Sequence, residues 1–164
     1  MAMLGRPWTC AMSETIVCVG AVVYRGDEIL LARQAKGHSL EGQWTIPWGR
    51  LDRGESPMTA AIRETTEEAG IIAEVDGLLG VQELPAPWSG WLGLIYLCRH
   101  ISGDPEPQDP EMDAARYFTK TNLAEIDEPI EPLSAWLVAR FYNDDLKVIP
   151  ANPSNPLQSR GSFL

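Results

Sequence analysis

Glu64, Glu67 and Glu68 put three carboxylates within five residues, in a stretch that also holds Gly49, Glu55, Arg63 and Gly70. Like charges about 5 Å apart repel by roughly 3 kcal/mol per pair at an effective dielectric near 20, so such a cluster needs a counter-charge. On a helix turning about 100° per residue the three acids span an arc of about 100°, while Met58, Ile62, Thr65 and Ala69 occupy the opposite side. Two readings fit. An isolated helix of this kind has an ordinary solvated acidic face. The same carboxylates lining a site would offer hard oxygen ligands to magnesium or manganese, each divalent ion offsetting the repulsion.

The elements that would position these acids are legible around them. Ser56 reads as an N-cap, Pro57 as the first helical residue and Gly70 as the residue that ends the helix, which bounds it at 57 to 69. Before it, two β-branched runs, Ile16 to Tyr24 and Glu28 to Arg33, form a hairpin across a turn at Gly26-Asp27. The tripeptide Arg25-Gly26-Asp27 is read as that turn and not as an adhesion motif. A loop at "KGHSLEGQ" leads to a short strand, "WTIPW", stopped by Pro47. After the helix, "IIAEVDGLLGVQEL" and "WLGLIYLCRH" are strands separated by a "PAPWSG" loop, and the proline-rich acidic loop "GDPEPQDPEMD" precedes a strand at "ARYFTK". "TNLAEI" and "EPLSAWLVARFYNDD" are helices, the second with Leu133, Leu137 and Phe141 at helical spacing. Residues 14–149 thus read as one domain, between a flexible extension over 1–13 and a mobile Pro/Asn/Ser-rich tail over 150–164.

Composition narrows the function. A chain of 164 residues can bury a core without disulfides or structural metal. Its net charge of -10 argues against a sequence-independent grip on a nucleic-acid polymer, which requires basic surfaces. Cys10, Cys18 and Cys98 lack paired spacing and are read as reduced thiols; with only His38 and His100 besides, zinc has little to build from. No apolar run approaches a membrane span, and the first dozen residues lack a signal-peptide core. The expected compartment is therefore cytoplasmic.

Seven positions carry a resemblance. Gly49, Glu55, Arg63, Glu64, Glu67, Glu68 and Gly70 match every fixed position of G-x5-E-x7-R-E-U-x-E-E-x-G-U, where U is bulky and apolar. A chance match in a chain of this length is on the order of one in a million. The chain is therefore similar to the Nudix hydrolases, which cleave a nucleoside diphosphate linked to another group, X. The resemblance covers about residues 15 to 142 and implies an α+β fold, a mixed β-sheet sandwiched between α-helices. Two positions depart from the pattern. Thr65 stands at the first U, where it can still face the core by bonding its hydroxyl one turn back. Trp48 replaces the first glycine of the usual pair and bears on substrate more than on chemistry.

The resemblance also implies roles. Glu67 and Glu68 are the principal ligands for Mg2+ or Mn2+, joined by the Gly49 carbonyl, and Glu64 is a third ligand or the base that deprotonates water. Arg63 and Glu55 form a structural pair, and Gly70 ends the helix. Glu111 is the candidate additional acid from a later loop, with Asp109 and Asp113 behind it; a solvated loop acid is the equal alternative. Arg33 could reach a phosphate, although a surface role is favoured.

The nature of X is left open. A proline some sixteen residues past the box is common in relatives that hydrolyse ADP-ribose, and Pro87 falls there with Pro85 nearby. Trp48, Trp88 and Trp91 could stack on a nucleobase or belong to the core. The expected partner is a small nucleotide (ADP-ribose, a nucleotide sugar or a nucleoside triphosphate), without nucleic acid or membrane, and a homodimer is left open. The rival class is a non-catalytic nucleotide-sensing Nudix domain that regulates a partner; such domains usually lose box carboxylates, and all are present here.

Overall fold

Alternating apolar residues from Val17 onward build the central strand. In the computed structural model, which describes residues 15–152, 154, 156 and 161–163, β1 (Val17–Arg25) turns at Gly26, φ 62°, into β2 (Glu28–Gln34). The sequence-predicted extension over 1–13, with Cys10, lies outside the described residues. β1 and β2 pair directly only beside the turn, at Tyr24↔Ile29 and Arg25↔Glu28. Farther along, segment 44–50 supplies their partners: β3 (Trp44–Thr45) pairs with β2 and β4 (Trp48–Arg50) with β1. Pro47 between them has no N–H to give, but its carbonyl accepts from the Ala21 N–H at 2.9 Å. The sequence predicted one strand here, stopped at Pro47; the ladder instead resumes at Trp48.

β5 (Ile72–Glu83) and β6 (Leu92–Ser102) form an antiparallel pair, and β6 runs parallel to β1 from Val17↔Leu92 to Tyr24↔Arg99. β7 (Met112–Phe118) closes the other side against β2. The result is a mixed seven-stranded sheet. α1 (Pro57–Ala69) lies on one face, and a single turn, α2 (Lys120–Leu123), precedes α3 (Pro132–Tyr142) on the other. The period-2 alternation of the strands feeds both faces. Val19, Ala21, Val23 and Leu30 pack with Ala60, Ala61 and Ala69 of α1, whereas Val22, Ile29, Leu31, Trp44, Ile46 and Phe118 pack with Leu137 and Val138 of α3. This is the α/β/α sandwich expected. α3 contains its whole apolar pattern but is shorter than the predicted segment 131–145: Glu131 caps its start by accepting from the Leu133 and Ser134 N–H groups, and it ends at Tyr142 with Asn143 as the C-cap. Trp136 points outward, 54% exposed.

α1 keeps its predicted bounds. The Ser56 hydroxyl accepts from the Thr59 N–H, a cap that contributes about 1 kcal/mol. Gly70 ends it in the left-handed region at φ 69°. Thr65 is fully buried and donates to the Ala61 carbonyl at 2.8 Å, which satisfies its hydroxyl in the core.

One expectation is corrected. Glu68 does not point away from the core: it is 5% exposed, while Ile62 is only partly buried and joins neither core cluster. Measured from Thr65, Glu68 lies about 60° around the helix, Glu64 about 100° and Glu67 about 160°. The sheet covers the helix asymmetrically, toward the acid side. Exposure therefore rises in order, with the Glu64 side chain at 12% and Glu67 at 45%.

The segment after α3 returns to the sheet, where Ile149 exchanges two backbone hydrogen bonds with Leu78. In the tail expected over 150–164, the Phe163 ring lies 5.8 Å from Tyr96. Cys18 and Cys98 are buried free thiols. Among the described residues no helix is long and apolar enough to cross a membrane.

Candidate active site

Arg63 organises the acids. Its Nε and Nη2 hold both oxygens of Glu55 at 3.0 Å, and Nη1 reaches Glu64 Oε1 at 2.7 Å and Glu67 Oε2 at 2.9 Å. Nη2 also donates to the Arg50 carbonyl at 3.0 Å, which ties α1 to β4. Hydrogen bonding to Arg63 holds the Glu55 carboxyl below its usual value. Burial pushes Glu64 up, partly offset by Arg63.

Glu68 lies beyond this guanidinium. Its carboxylate accepts one hydrogen bond, from the Trp48 N–H at 2.9 Å. Burial pushes its pKa well above the usual range, and the charges of Glu64, Glu111 and Asp109 push the same way. A Cβ at Gly49 would lie 2.0 Å from the Glu64 carboxyl carbon, so a side chain there would displace the Glu64 carboxylate from the place it holds. The strand carrying Gly49 thus closes directly over that carboxylate.

The C-terminal end of α1 positions the later acids. The Glu67 carbonyl accepts from the Gln108 and Asp109 N–H groups, both at 2.8 Å, and the Ala69 carbonyl from Glu106 at 3.0 Å. Asp109 then fixes the next turn through the Glu111 N–H at 2.8 Å. The orphan carbonyls of a helix end thereby anchor the loop that brings Asp109 and Glu111 to the site.

These groups line one cleft of about 1000 Å³. Trp48, Gly49, Arg63, Glu64, Glu67, Glu68, Trp88 and Glu111 all border it, with Glu55 behind Arg63 and Gly70 at the helix end. Two candidates lie elsewhere. Arg33 is paired with Asp113 at 2.7 Å and Glu128 at 2.8 Å and is not part of the lining. Pro87 is outside it too, whereas Pro85 borders it. Sequence reasoning missed Gln34, His38, Arg50, Glu131 and Ser134. Adjacency to Gly49 could have pointed to Arg50; the others reach the cleft only through tertiary folding.

Among the described residues no three His, Cys, Asp or Glu side chains converge as a ready metal cage. The donor set nevertheless suits a hard cation. It is all oxygen, and buried Glu68 has, among the described residues, a single hydrogen bond and acidic neighbours.

The NUDIX domain profile matches residues 14–137. Human 8-oxo-dGDP phosphatase NUDT18 is 34% identical over 100 residues, covering 59% of this chain and 30% of that protein. The ADP-ribose pyrophosphatase of Methanocaldococcus jannaschii is 29% identical over 112 residues, covering 67% of this chain and 65% of that one. The chain thus spans about a third of the length of relatives such as NUDT18. A crystal structure of a Nudix hydrolase from Nitrosomonas europaea shares the fold, with a TM-score of 0.69 at 24% identity over 81% of this chain and 73% of that one.

Proposed function

The chain belongs to the Nudix family, and we propose that residues 14–149 form a hydrolase domain that cleaves the pyrophosphate linkage of a nucleoside diphosphate joined to a further group. The observation that carries this reading is buried Glu68, surrounded by acids and holding one hydrogen bond among the described residues, beside Glu64 and Glu67 in the cleft. Glu67, Glu68 and the Gly49 carbonyl would hold magnesium or manganese, with Glu111 as an additional ligand. Such an ion neutralises developing phosphate charge and lowers the pKa of an attacking water.

The protein's own groups do the rest. Glu64 has one oxygen held by Arg63 and its carboxyl wedged against Gly49, so its orientation is fixed. Burial raises its affinity for a proton, which suits the group that takes one from water. Arg63 and Glu55 keep α1 and the Arg50 backbone in register, so this base and the Glu68 carboxylate stay on one side of the cleft. Trp48 fixes Glu68 through its backbone and presents its indole to the same space.

Hydrolysis assays should cover ADP-ribose, nucleotide sugars, dinucleoside polyphosphates, and normal and oxidised nucleoside di- and triphosphates. The expected result is turnover with Mg2+ or Mn2+ that a chelator abolishes. Full turnover of every active compound in excess chelator, or no turnover of any, counts against the proposal.

A further inference from the structure

Among the described residues, one guanidinium that borders the cleft is held by no acid. Arg63 is committed to Glu55, Glu64 and Glu67. Arg50 also borders the cleft, yet it forms no ion pair among the described residues despite Asp52 two positions away. Its guanidinium carbon instead sits 5.5 Å from the centre of the Trp91 ring, a stacking that orients a planar cation without neutralising it.

The backbone fixes where this cation acts. Arg50 follows Gly49, whose Cα abuts the Glu64 carboxylate, and its own carbonyl is bonded by Arg63. Trp48 and Arg50 are two apart on β4 and project together to the side opposite that on which Gly49 meets Glu64, so the guanidinium enters the cleft from the Trp48 side of the strand. The Trp48 indole lies against Gly20 and Gly93, where added Cβ atoms would come within 2.6 and 2.4 Å of its ring. The Cys18 thiol feels both the Arg50 cation and the Glu64 carboxylate, so both charges lie within electrostatic reach of one point.

We infer that Arg50, steadied by Trp91, binds the free terminal phosphate of a nucleoside di- or triphosphate and makes such compounds preferred over those whose last phosphate is capped by a sugar. The inference rests on the hydrolase reading and names its substrate class. A free terminal phosphate carries close to two negative charges at neutral pH and offers three oxygens to the guanidinium fork; a sugar-capped phosphate carries one charge and fewer open oxygens. In a cleft lined by Glu64, Glu67, Glu68, Asp109 and Glu111, the extra charge needs a cation not already paired, and Arg50 provides it.

The test is calorimetric binding of the α,β-methylene analogues of ADP and ADP-ribose, which resist hydrolysis, with Mg2+ present. The native protein should bind the ADP analogue more tightly. Arg50→Ala should weaken it by about tenfold or more, and the ADP-ribose analogue by less than about threefold, with unchanged melting. Arg50→Lys should recover only part, since charge returns without the fork. Equal weakening of both ligands, no weakening of either, or tighter native binding of the capped one overturns the inference. Binding that follows the expected pattern without turnover of ADP or ADP-ribose counts against the hydrolase reading alone; turnover of both with equal Arg50→Ala losses counts against Arg50 alone.

Discussion

Water reaches the three acids of α1 unequally, and their substitutions should differ accordingly. Glu68→Gln keeps the side chain's size and its bond from the Trp48 N–H but removes a buried charge. Turnover should fall by about a hundredfold or more, while the metal-free protein melts no lower than the native one. The sign with pH follows from burial. Glu68 binds its proton more readily folded than unfolded, so the chelated protein gains stability as pH falls through the raised folded pKa toward the unfolded value of about 4.3. Melting curves from pH 8 to 5 should show that gain, and Glu68→Gln should lack its share of it. Glu55 has the opposite sign because Arg63 depresses its pKa. Its stabilisation is fully present above about pH 4.3 and is lost as pH falls through the lower folded value. Glu55→Gln should therefore lower the melting temperature at pH 7, with the gap to the native protein closing in acid; a gap independent of pH would contradict the ion pair. The pairing of Glu55 with Arg63 was legible from the motif. The burial of Glu68 was not, because helical spacing does not say how far a sheet extends under each shoulder of the helix.

At the scale of elements, α1 is both a core helix and the mount for the acidic loop. Gly70 has a positive φ, and a Cβ there would lie 2.4 Å from the Glu106 carbonyl oxygen. Gly70→Ala should cost more than about 1 kcal/mol in stability. It should also reduce activity in the protein that remains folded, because Glu106, Gln108 and Asp109 are bonded to the same helix end. Chemical denaturation together with kinetics on the folded fraction checks this. Loss of stability with native activity would mean that the loop's placement does not matter. The hairpin, α1 and the long strands were legible because their period, caps and turns are local. β4 was not: three residues containing a glycine and following a proline carry little strand signal, and they pair only because β1 offers them an open edge. The anchoring of the 104–111 loop on helix carbonyls likewise has no signature in residue type, since backbone groups make it.

Across the whole molecule, Trp48 joins β4 to the centre of the sheet. Its indole is half-buried against Gly20 of β1 and Gly93 of β6 and also borders the cleft, so the core and substrate-side readings meet in one ring. Trp48→Gly would leave a trough over both glycines. Stability should drop by roughly 2 to 3 kcal/mol, less than for a fully buried tryptophan, and relative rates across the nucleotide panel should change. Strong destabilisation with the native ranking preserved would return the indole to the core alone. The departure at position 48 was visible in the sequence, but its glycine bed was not, because Gly20 and Gly93 lie far apart along the chain. The parallel pairing of β1 with β6 has a consequence in time. Val17 meets Leu92 across 75 positions, a closure whose entropy must be met before the contact returns any energy. Gly49, Arg63 and all three helix acids lie inside that loop. A chain emerging during synthesis can form the first hairpin and the beginnings of α1 well before this closure, yet it still lacks the Gly93 half of the Trp48 bed and the Trp91 that holds Arg50. Competence toward nucleotides should therefore arrive late and all at once, with the sheet.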